Sequence, residues 1–175
     1  MRRALLACAA ALSLMIVGCG YHRVGAATHI PANVRTLAVP IFVSKVQGFN
    51  TEIAFTQAVV RELNTRTNYR VLTSGDGSNA DAMLKGTIMT ETVSPLTYDS
   101  SSGQTSSYLV SVTANVELIA ADGAVLYRNE AFPWREQYQS TQDLTGFVQE
   151  DGAAMQRMSR DFAQALVSDM LESFR

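Results

Sequence analysis

Cysteine and histidine are scarce in this sequence of 175 residues, and their positions limit the chemistry that the protein can perform. The two cysteines, Cys8 and Cys19, both lie within the first nineteen residues, so there is neither a disulfide framework nor a cysteine cluster for zinc. The two histidines, His22 and His29, lie in a polar segment just behind, where no rigid element would orient them. We therefore expect no metal site and no cofactor.

Basic residues and catalytic motifs are also lacking. Fourteen Lys and Arg residues face sixteen Asp and Glu residues, so no basic excess is available to hold a nucleic-acid backbone. The sequence contains no nucleophile elbow, phosphate-binding glycine loop or dinucleotide fingerprint. Asp76–Asp81 is similar to a fragment of a calcium loop, but it lacks the distal glutamate and is better explained as a turn. We expect a protein that is not an enzyme and does not bind nucleic acid.

The first eighteen residues are typical of an export signal. Arg2 and Arg3 form a basic start, and the apolar run Ala4–Val17 is shorter than the roughly twenty residues that span a bilayer. The run ends in Ile16-Val17-Gly18-Cys19, which resembles the bacterial lipobox. We predict a lipoprotein signal peptide over residues 1–18 and lipidation of Cys19. The alternative is a plainly secreted protein that is cut nearby.

Cleavage before Cys19 would leave a mature chain with a permanent membrane anchor. Several acyl chains, each contributing about 0.8 kcal/mol per buried methylene, hold a protein to a bilayer far more firmly than one chain does. Loss of Arg2 and Arg3 would change the formal charge from −2 to −4. Gly20 follows the anchor where an aspartate would retain a lipoprotein in the inner membrane. We therefore expect an outer-membrane lipoprotein whose residues 19–33 form a lipidated tether.

Alternating apolar residues predict a series of strands over the following residues. The clearest runs from Tyr108 to Leu118, and Asp122-Gly123 predicts a tight turn from it into an antiparallel partner. Pro95 is expected to interrupt the strand that begins at Ala82, and Pro40 is expected to lie at an edge, at a bulge or where pairing ends. The Ser- and Gly-rich segment Tyr98–Ser107 is predicted to be a long mobile connection. The predicted strands are Val34–Val43, Asn68–Leu72, Ala82 to about Val93, Tyr108–Leu118, and Val125 to about Tyr138.

Two amphipathic helices complete the predicted domain, which covers residues 34–175. The first is expected from about 51 to 66, where Phe55, Val59 and Leu63 recur every four residues. The second is expected from about 148 to 173, with an apolar stripe that includes Phe162 and Leu166. We predict an α+β fold in the order β-α-β-β-β-α, with both helices on one face of a mixed four- to five-stranded sheet. The other face would meet solvent or a partner.

Several short motifs resemble the lipopolysaccharide-assembly lipoprotein family LptE. The resemblance covers essentially the whole mature chain, and it implies an outer-membrane lipoprotein without enzymatic activity. Such a protein acts as a plug and assembly partner of the LptD β-barrel and helps to insert lipopolysaccharide into the outer leaflet. The motifs are Cys19-Gly20-Tyr21-His22 with Gly25, Val34–Phe42, Val60-Arg61-Glu62-Leu63, Tyr69-Arg70-Val71 and Asp81–Ile88.

Lipopolysaccharide binding would require basic side chains beside exposed apolar ones, because the ligand carries both phosphates and acyl chains. The sequence has only two lysines. Lys85, on the polar side of a strand, and Arg128 and Arg135 on the hairpin are the leading candidates, followed by Lys45. Taken individually, each is better explained as an ordinary surface charge, and the net acidity of the mature chain argues against strong binding.

Two other functions remain open from the sequence. The strand with Ala38-Val39-Pro40 and the later Asp81–Ile88 segment also resemble periplasmic domains of TolB-like and curli-secretion lipoproteins. The chain lacks the TolB propeller and is short for a pore-forming secretion subunit. A ligand-binding lipoprotein that delivers substrate to a transporter would need a pocket with converging polar groups, which the sequence does not display.

Overall fold

Two helices and six strands make up the part of the chain that the computed structural model describes, which is residues 30–46, 51–73, 77, 79–98, 100, 105–139 and 144–172. The predicted signal peptide, Cys19 and both histidines lie outside these residues. The α+β class is confirmed. In chain order the elements are β1 (Thr36–Ala38), β2 (Val43–Ser44), α1 (Thr51–Arg66), β3 (Arg70–Leu72), β4 (Ala82–Tyr98), β5 (Thr105–Ala120), β6 (Val125–Gln139) and α2 (Leu144–Glu172).

The strands form one mixed sheet in the order β3-β1-β4-β5-β6, with β2 paired beside β1 on the edge of β4. β1 runs parallel to β3 and β4, and β2 also runs parallel to β4. β5 runs antiparallel to both of its neighbours, β4 and β6. α1 is the crossover that returns the chain from the first two strands to β3. One half of the sheet is therefore a crossover unit, and the other half consists of long hairpins.

The sheet has more strands than predicted because the apolar run Val34–Val43 is divided around Pro40. β1 pairs with the start of β4, and β2 pairs with β4 again at Thr87 and Ile88. Between them the Val39 amide donates to the Leu72 carbonyl, whereas Pro40 has no amide proton to donate. The run forms two short strands because Pro40 cannot donate a hydrogen bond to a neighbouring strand.

The prediction that Pro95 interrupts its strand is wrong, since β4 continues to Tyr98. Pro95 lies opposite Tyr108 of β5, and past Ile88 no described strand pairs with the other edge of β4. A proline amide facing an unpaired edge costs no ladder hydrogen bond. The predicted mobile connection is also wrong at both ends, because Tyr98 belongs to β4 and Thr105 to Ser107 belong to β5.

The Asp122-Gly123 turn and both helices are found where the sequence predicts them. Gly123 adopts a φ of 88°, a left-handed conformation that glycine accepts without strain, and its amide donates to the Ala120 carbonyl. α1 has the predicted bounds. α2 begins at Leu144, four residues earlier than predicted. Among its described residues, neither helix combines the length and hydrophobicity that crossing a membrane requires.

The core lies between the two helices and one face of the sheet, which we call the inner face. Phe162 of α2 stacks on Phe55 of α1 at a centroid distance of 4.4 Å, and the edges of Phe132 and Trp134 meet the Phe162 ring. The packing of both helices on one face of the sheet confirms the predicted arrangement. Five successive inner-face residues in the middle of β5 are buried, namely Val110, Val112, Ala114, Val116 and Leu118.

Candidate functional site

The sheet face opposite the helices, which we call the outer face, is dominated by short polar side chains. Strand residues alternate between faces, so the residues between the buried positions of β5 point outward. β4 places matching polar residues beside them. The cross-strand pairs are Thr87 with Asn115, Thr90 with Thr113, and Thr92 with Ser111. The outer face is thus a band of hydroxyl and amide groups.

A row of three charged residues crosses one end of the outer face. Lys85 of β4 lies opposite Glu117 of β5, which in turn lies opposite Arg128 of β6. The Arg128 Nε atom lies 3.0 Å from the Glu117 Oε1 atom, so this carboxylate offsets much of the arginine charge. Lys85 is exposed on the neighbouring strand. The row carries one net positive charge.

The other two candidate basic residues lie apart from this row. Arg135 of β6 is opposite Ser111, six residues along β5 from Glu117, which corresponds to about 20 Å of strand. Lys45 directly follows β2, and its amide donates to the Ile88 carbonyl on the edge of β4. Its side chain is exposed. Of the four candidates, the structure therefore brings together only Lys85 and Arg128.

Asp81 joins β1 to the start of β4. Its Oδ2 atom accepts hydrogen bonds from the Arg35 amide at 2.9 Å, and from the amide and the hydroxyl of Thr36 at 2.8 Å each. The Arg35 amide, followed by the two Thr36 groups, lowers the pKa of the Asp81 carboxyl. These bonds use the charged carboxylate to hold the backbone, so we assign Asp81 a structural role.

Glu91 is the half-buried carboxyl on the inner face of β4. Its Oε2 atom accepts a 3.0 Å hydrogen bond from the Thr51 hydroxyl at the start of α1. Burial raises the pKa of Glu91, while the Thr51 bond opposes that shift and the negative charge of Glu52 adds to it. The described residues contain no cluster of three or more His, Cys, Asp or Glu side chains that could hold a metal.

Two cavities beside α1 contain residues that the sequence analysis did not select. One lies between the two helices and is lined by Arg61 and Arg160, and the other lies toward β1 and is lined by aliphatic residues. Arg61 appeared only as part of a family motif. A sequence signal for this groove did exist, because Gln57, Arg61 and Thr65 recur every four residues on the polar side of α1.

Comparisons with known structures support the fold. A protein from Caulobacter crescentus superposes with a TM-score of 0.51 at 13% identity, over 75% of this chain and 87% of that one. The uncharacterized lipoprotein B of Nitrosomonas europaea gives 0.50 at 14% identity, over 81% and 88% of the chains. The hypothetical protein CT253 of Chlamydia trachomatis gives 0.50 at 9%, over 80% and 99%. At these identities the likeness establishes the fold alone.

A family model identifies the chain more specifically. Among curated proteins none matches it significantly. The model of LptE, described as lipopolysaccharide-assembly, matches residues 34–170, which is most of the chain. This match favours the LptE resemblance over the TolB-like and curli-secretion alternatives. The chain therefore belongs to the LptE family of non-enzymatic lipopolysaccharide-assembly lipoproteins.

Proposed function

We propose that this chain is an outer-membrane lipoprotein, anchored through Cys19, that occupies the lumen of an LptD-type β-barrel and helps it to insert lipopolysaccharide. Membership of the LptE family supports a role in lipopolysaccharide assembly. The main observation that supports the barrel partner is the polar outer face of β4, β5 and β6.

The outer face suits the interior of a barrel because that interior is polar and wet. Serine and threonine hydroxyls both donate and accept hydrogen bonds, so a band of them can adapt to many polar partners and bridging waters. The inner-face positions from Ala82 to Ile88 of β4 and from Val110 to Leu118 of β5 are buried in the core that the helices share. The domain can therefore keep its own core while it presents a hydrophilic surface to a barrel wall.

The shape of the sheet supports the same partner. β4 has 17 residues and β5 has 16, so each extends over roughly 50 Å. α1 has 16 residues and is about 24 Å long. β4 is exposed at every position from Thr92 to Tyr98, so this end of the β4–β5 hairpin extends past the packed core. A projecting hairpin with polar outer positions can extend along the polar wall of a lumen that the domain occupies.

We propose Lys85 and Arg128 as the outer-face contacts for lipopolysaccharide phosphates, with Arg135 and Lys45 as separate contacts. Lys85 has no carboxylate within ion-pair distance among the described residues, whereas Arg128 is paired with Glu117. We therefore expect Lys85 to contribute more than Arg128. The four residues span too much of the sheet to bind a single phosphate.

Photo-crosslinking from single positions tests the barrel-facing surface. A photoreactive residue at Thr92, which is exposed on the outer face, is expected to give an adduct with an outer-membrane β-barrel in intact cells. The matched control is Asn64, which is exposed on α1. A stronger barrel adduct from Asn64, or no barrel adduct from Thr92, would contradict the proposed docking surface.

A further inference from the structure

A polar groove of about 470 Å³ lies between α1 and α2 and carries a concentrated positive charge. Arg61 of α1 and Arg160 of α2 both line it, and both side chains are exposed. Neither forms an ion pair with another described residue. Glu62 also lines the groove, but its Oε1 atom lies 3.6 Å from the Arg66 Nη1 atom, so its charge is offset. The groove is therefore cationic in a chain whose formal charge is negative.

The chemistry of the groove suits a phosphate group. Arginine presents a planar set of donors that can bind phosphate oxygens in pairs, and two arginines from different helices can approach one phosphate from two sides. Amide side chains of Gln57, Gln156 and Gln164 line the same groove and supply further donors. The volume is within the range of ordinary small-molecule sites.

An apolar cavity of about 400 Å³ lies on the opposite flank of α1. Its aliphatic lining includes Ile41, which is 61% exposed, and Ile53, which is 43% exposed. Ile41 lies between β1 and β2, where it is exposed while the adjacent Phe42 is buried in the core. Val39 and Val60 complete the aliphatic part of the lining.

The two cavities meet along α1. Gln57 and Arg61, one helical turn apart, line both of them. An α-helix with its side chains is about 10 Å across, so a group in the cationic groove and a group in the apolar cavity are within the span of one lipid molecule.

We propose that these two cavities form one bipartite site for an anionic lipid, with a phosphate bound between Arg61 and Arg160 and an acyl chain against Ile41 and Ile53. The inference deepens the proposed function and rests on it where lipopolysaccharide is the ligand. An anionic phospholipid offers the same combination of phosphate and acyl chain. The site is distinct from the outer face, because its residues belong to the helices and to the segment after β1.

The phosphate half is tested by removing one charge at a time from the native lipoprotein in detergent and measuring its affinity for fluorescent lipopolysaccharide. Arg61→Gln and Arg160→Gln are each expected to raise Kd about tenfold, because each removes charge-assisted hydrogen bonds to the phosphate. Arg157→Gln is the matched control, since Arg157 is exposed on α2 but does not line the groove. We expect that Kd to change less than twofold, roughly the effect of a screened surface charge.

The apolar half is tested with lipopolysaccharide that keeps its sugar phosphates but has lost its acyl chains. Ile53→Ser is expected to weaken binding of the intact lipid about tenfold and to leave binding of the deacylated form unchanged, because burial of a large aliphatic side chain is lost only with the acylated ligand. Arg61→Gln is expected to weaken both. Val125→Ser is the control, since Val125 is 46% exposed but lies on β6 away from the cavity.

The outcomes separate this site from the proposed function. Equal losses for Arg157→Gln and Arg61→Gln would show that only net charge matters and would overturn the site. Loss of binding in Lys85→Ala with Arg128→Ala, but not in Arg61→Gln, would also overturn it and assign the lipid to the outer face. Repeating the measurement with phosphatidylglycerol vesicles shows whether the bound lipid is a phospholipid or lipopolysaccharide. Weaker binding of either lipid by Arg61→Gln supports the site. Barrel co-purification of Arg61→Gln, measured in parallel, reports separately on the proposed function.

Discussion

Replacing Gly86 with alanine should destabilise the domain through one steric contact. Gly86 lies in β4 on the inner face, and a Cβ atom there would come within 2.5 to 2.6 Å of three Phe42 ring carbons. Phe42 is only 2% exposed, and its amide donates a 2.9 Å hydrogen bond to the Thr56 hydroxyl of α1. The packing around the buried ring and the hydrogen bond of its backbone amide therefore both resist a shift of Phe42. Gly86 lacks the positive φ that would penalise alanine by itself.

The expected loss is about 1 to 2 kcal/mol of unfolding free energy. Overpacking of a filled core costs roughly 1–3 kcal/mol. Alanine also restricts the unfolded chain, which returns roughly 0.4–1 kcal/mol. Phe42→Ala alone should cost about 3–5 kcal/mol because it leaves a cavity beside Gly86. In the double variant the methyl group added at position 86 enters that cavity, so we expect a total loss about 1–2 kcal/mol smaller than the sum of the single losses.

Urea denaturation followed by circular dichroism measures the unfolding free energies of the unaltered protein, the two single variants and the double variant. Gly123→Ala is the matched control, because Gly123 has a φ of 88° and an added Cβ atom would meet nothing within 4 Å. Its loss comes from backbone strain, so it should add to that of Phe42→Ala without coupling. Additive losses for Gly86→Ala and Phe42→Ala would refute the steric reasoning.

Three further changes have defined outcomes. Cys19→Ala should abolish acylation and leave uncut precursor at the inner membrane, whereas acyl labelling that survives would refute the anchor assignment. Asp81→Asn should lower the melting temperature at pH 7, because the depressed pKa contributes stability above the unfolded value of 3.8. That difference should shrink as the pH falls through the native pKa of Asp81, and a pH-independent difference would contradict it. Tyr127→Phe removes a 2.6 Å hydrogen bond from the Tyr127 hydroxyl to the Asp169 carboxylate and should cost about 1 kcal/mol in chemical denaturation. An unchanged denaturation midpoint would show that this hydrogen bond does not stabilise the domain.

Local sequence patterns predicted the parts of the fold that depend on near neighbours. The spacing of Phe55, Val59 and Leu63 placed α1 with its observed bounds, because a helical stripe is repeated every turn. The alternation of apolar and polar residues correctly predicted the buried face of β5, and Asp122-Gly123 correctly predicted the turn that follows it. The continuation of β4 through Pro95 was missed, because whether a proline is tolerated depends on which strands lie beside it.

The candidate site depended on pairings between distant segments and was only partly predictable. The sequence identified Lys85 and Arg128 as basic residues, but the strand register decides that Glu117 lies between them. Arg61 and Arg160 line one groove because two helices about a hundred residues apart in sequence pack together. No local sequence pattern indicates which residues of distant helices will line the same groove.

Purification of the native lipoprotein from outer membranes in a mild detergent tests the central claim most directly. We expect it to elute together with an outer-membrane β-barrel protein in a stable complex, and mass spectrometry would identify that barrel. Recovery of the acylated protein as a free monomer under these gentle conditions would contradict the account.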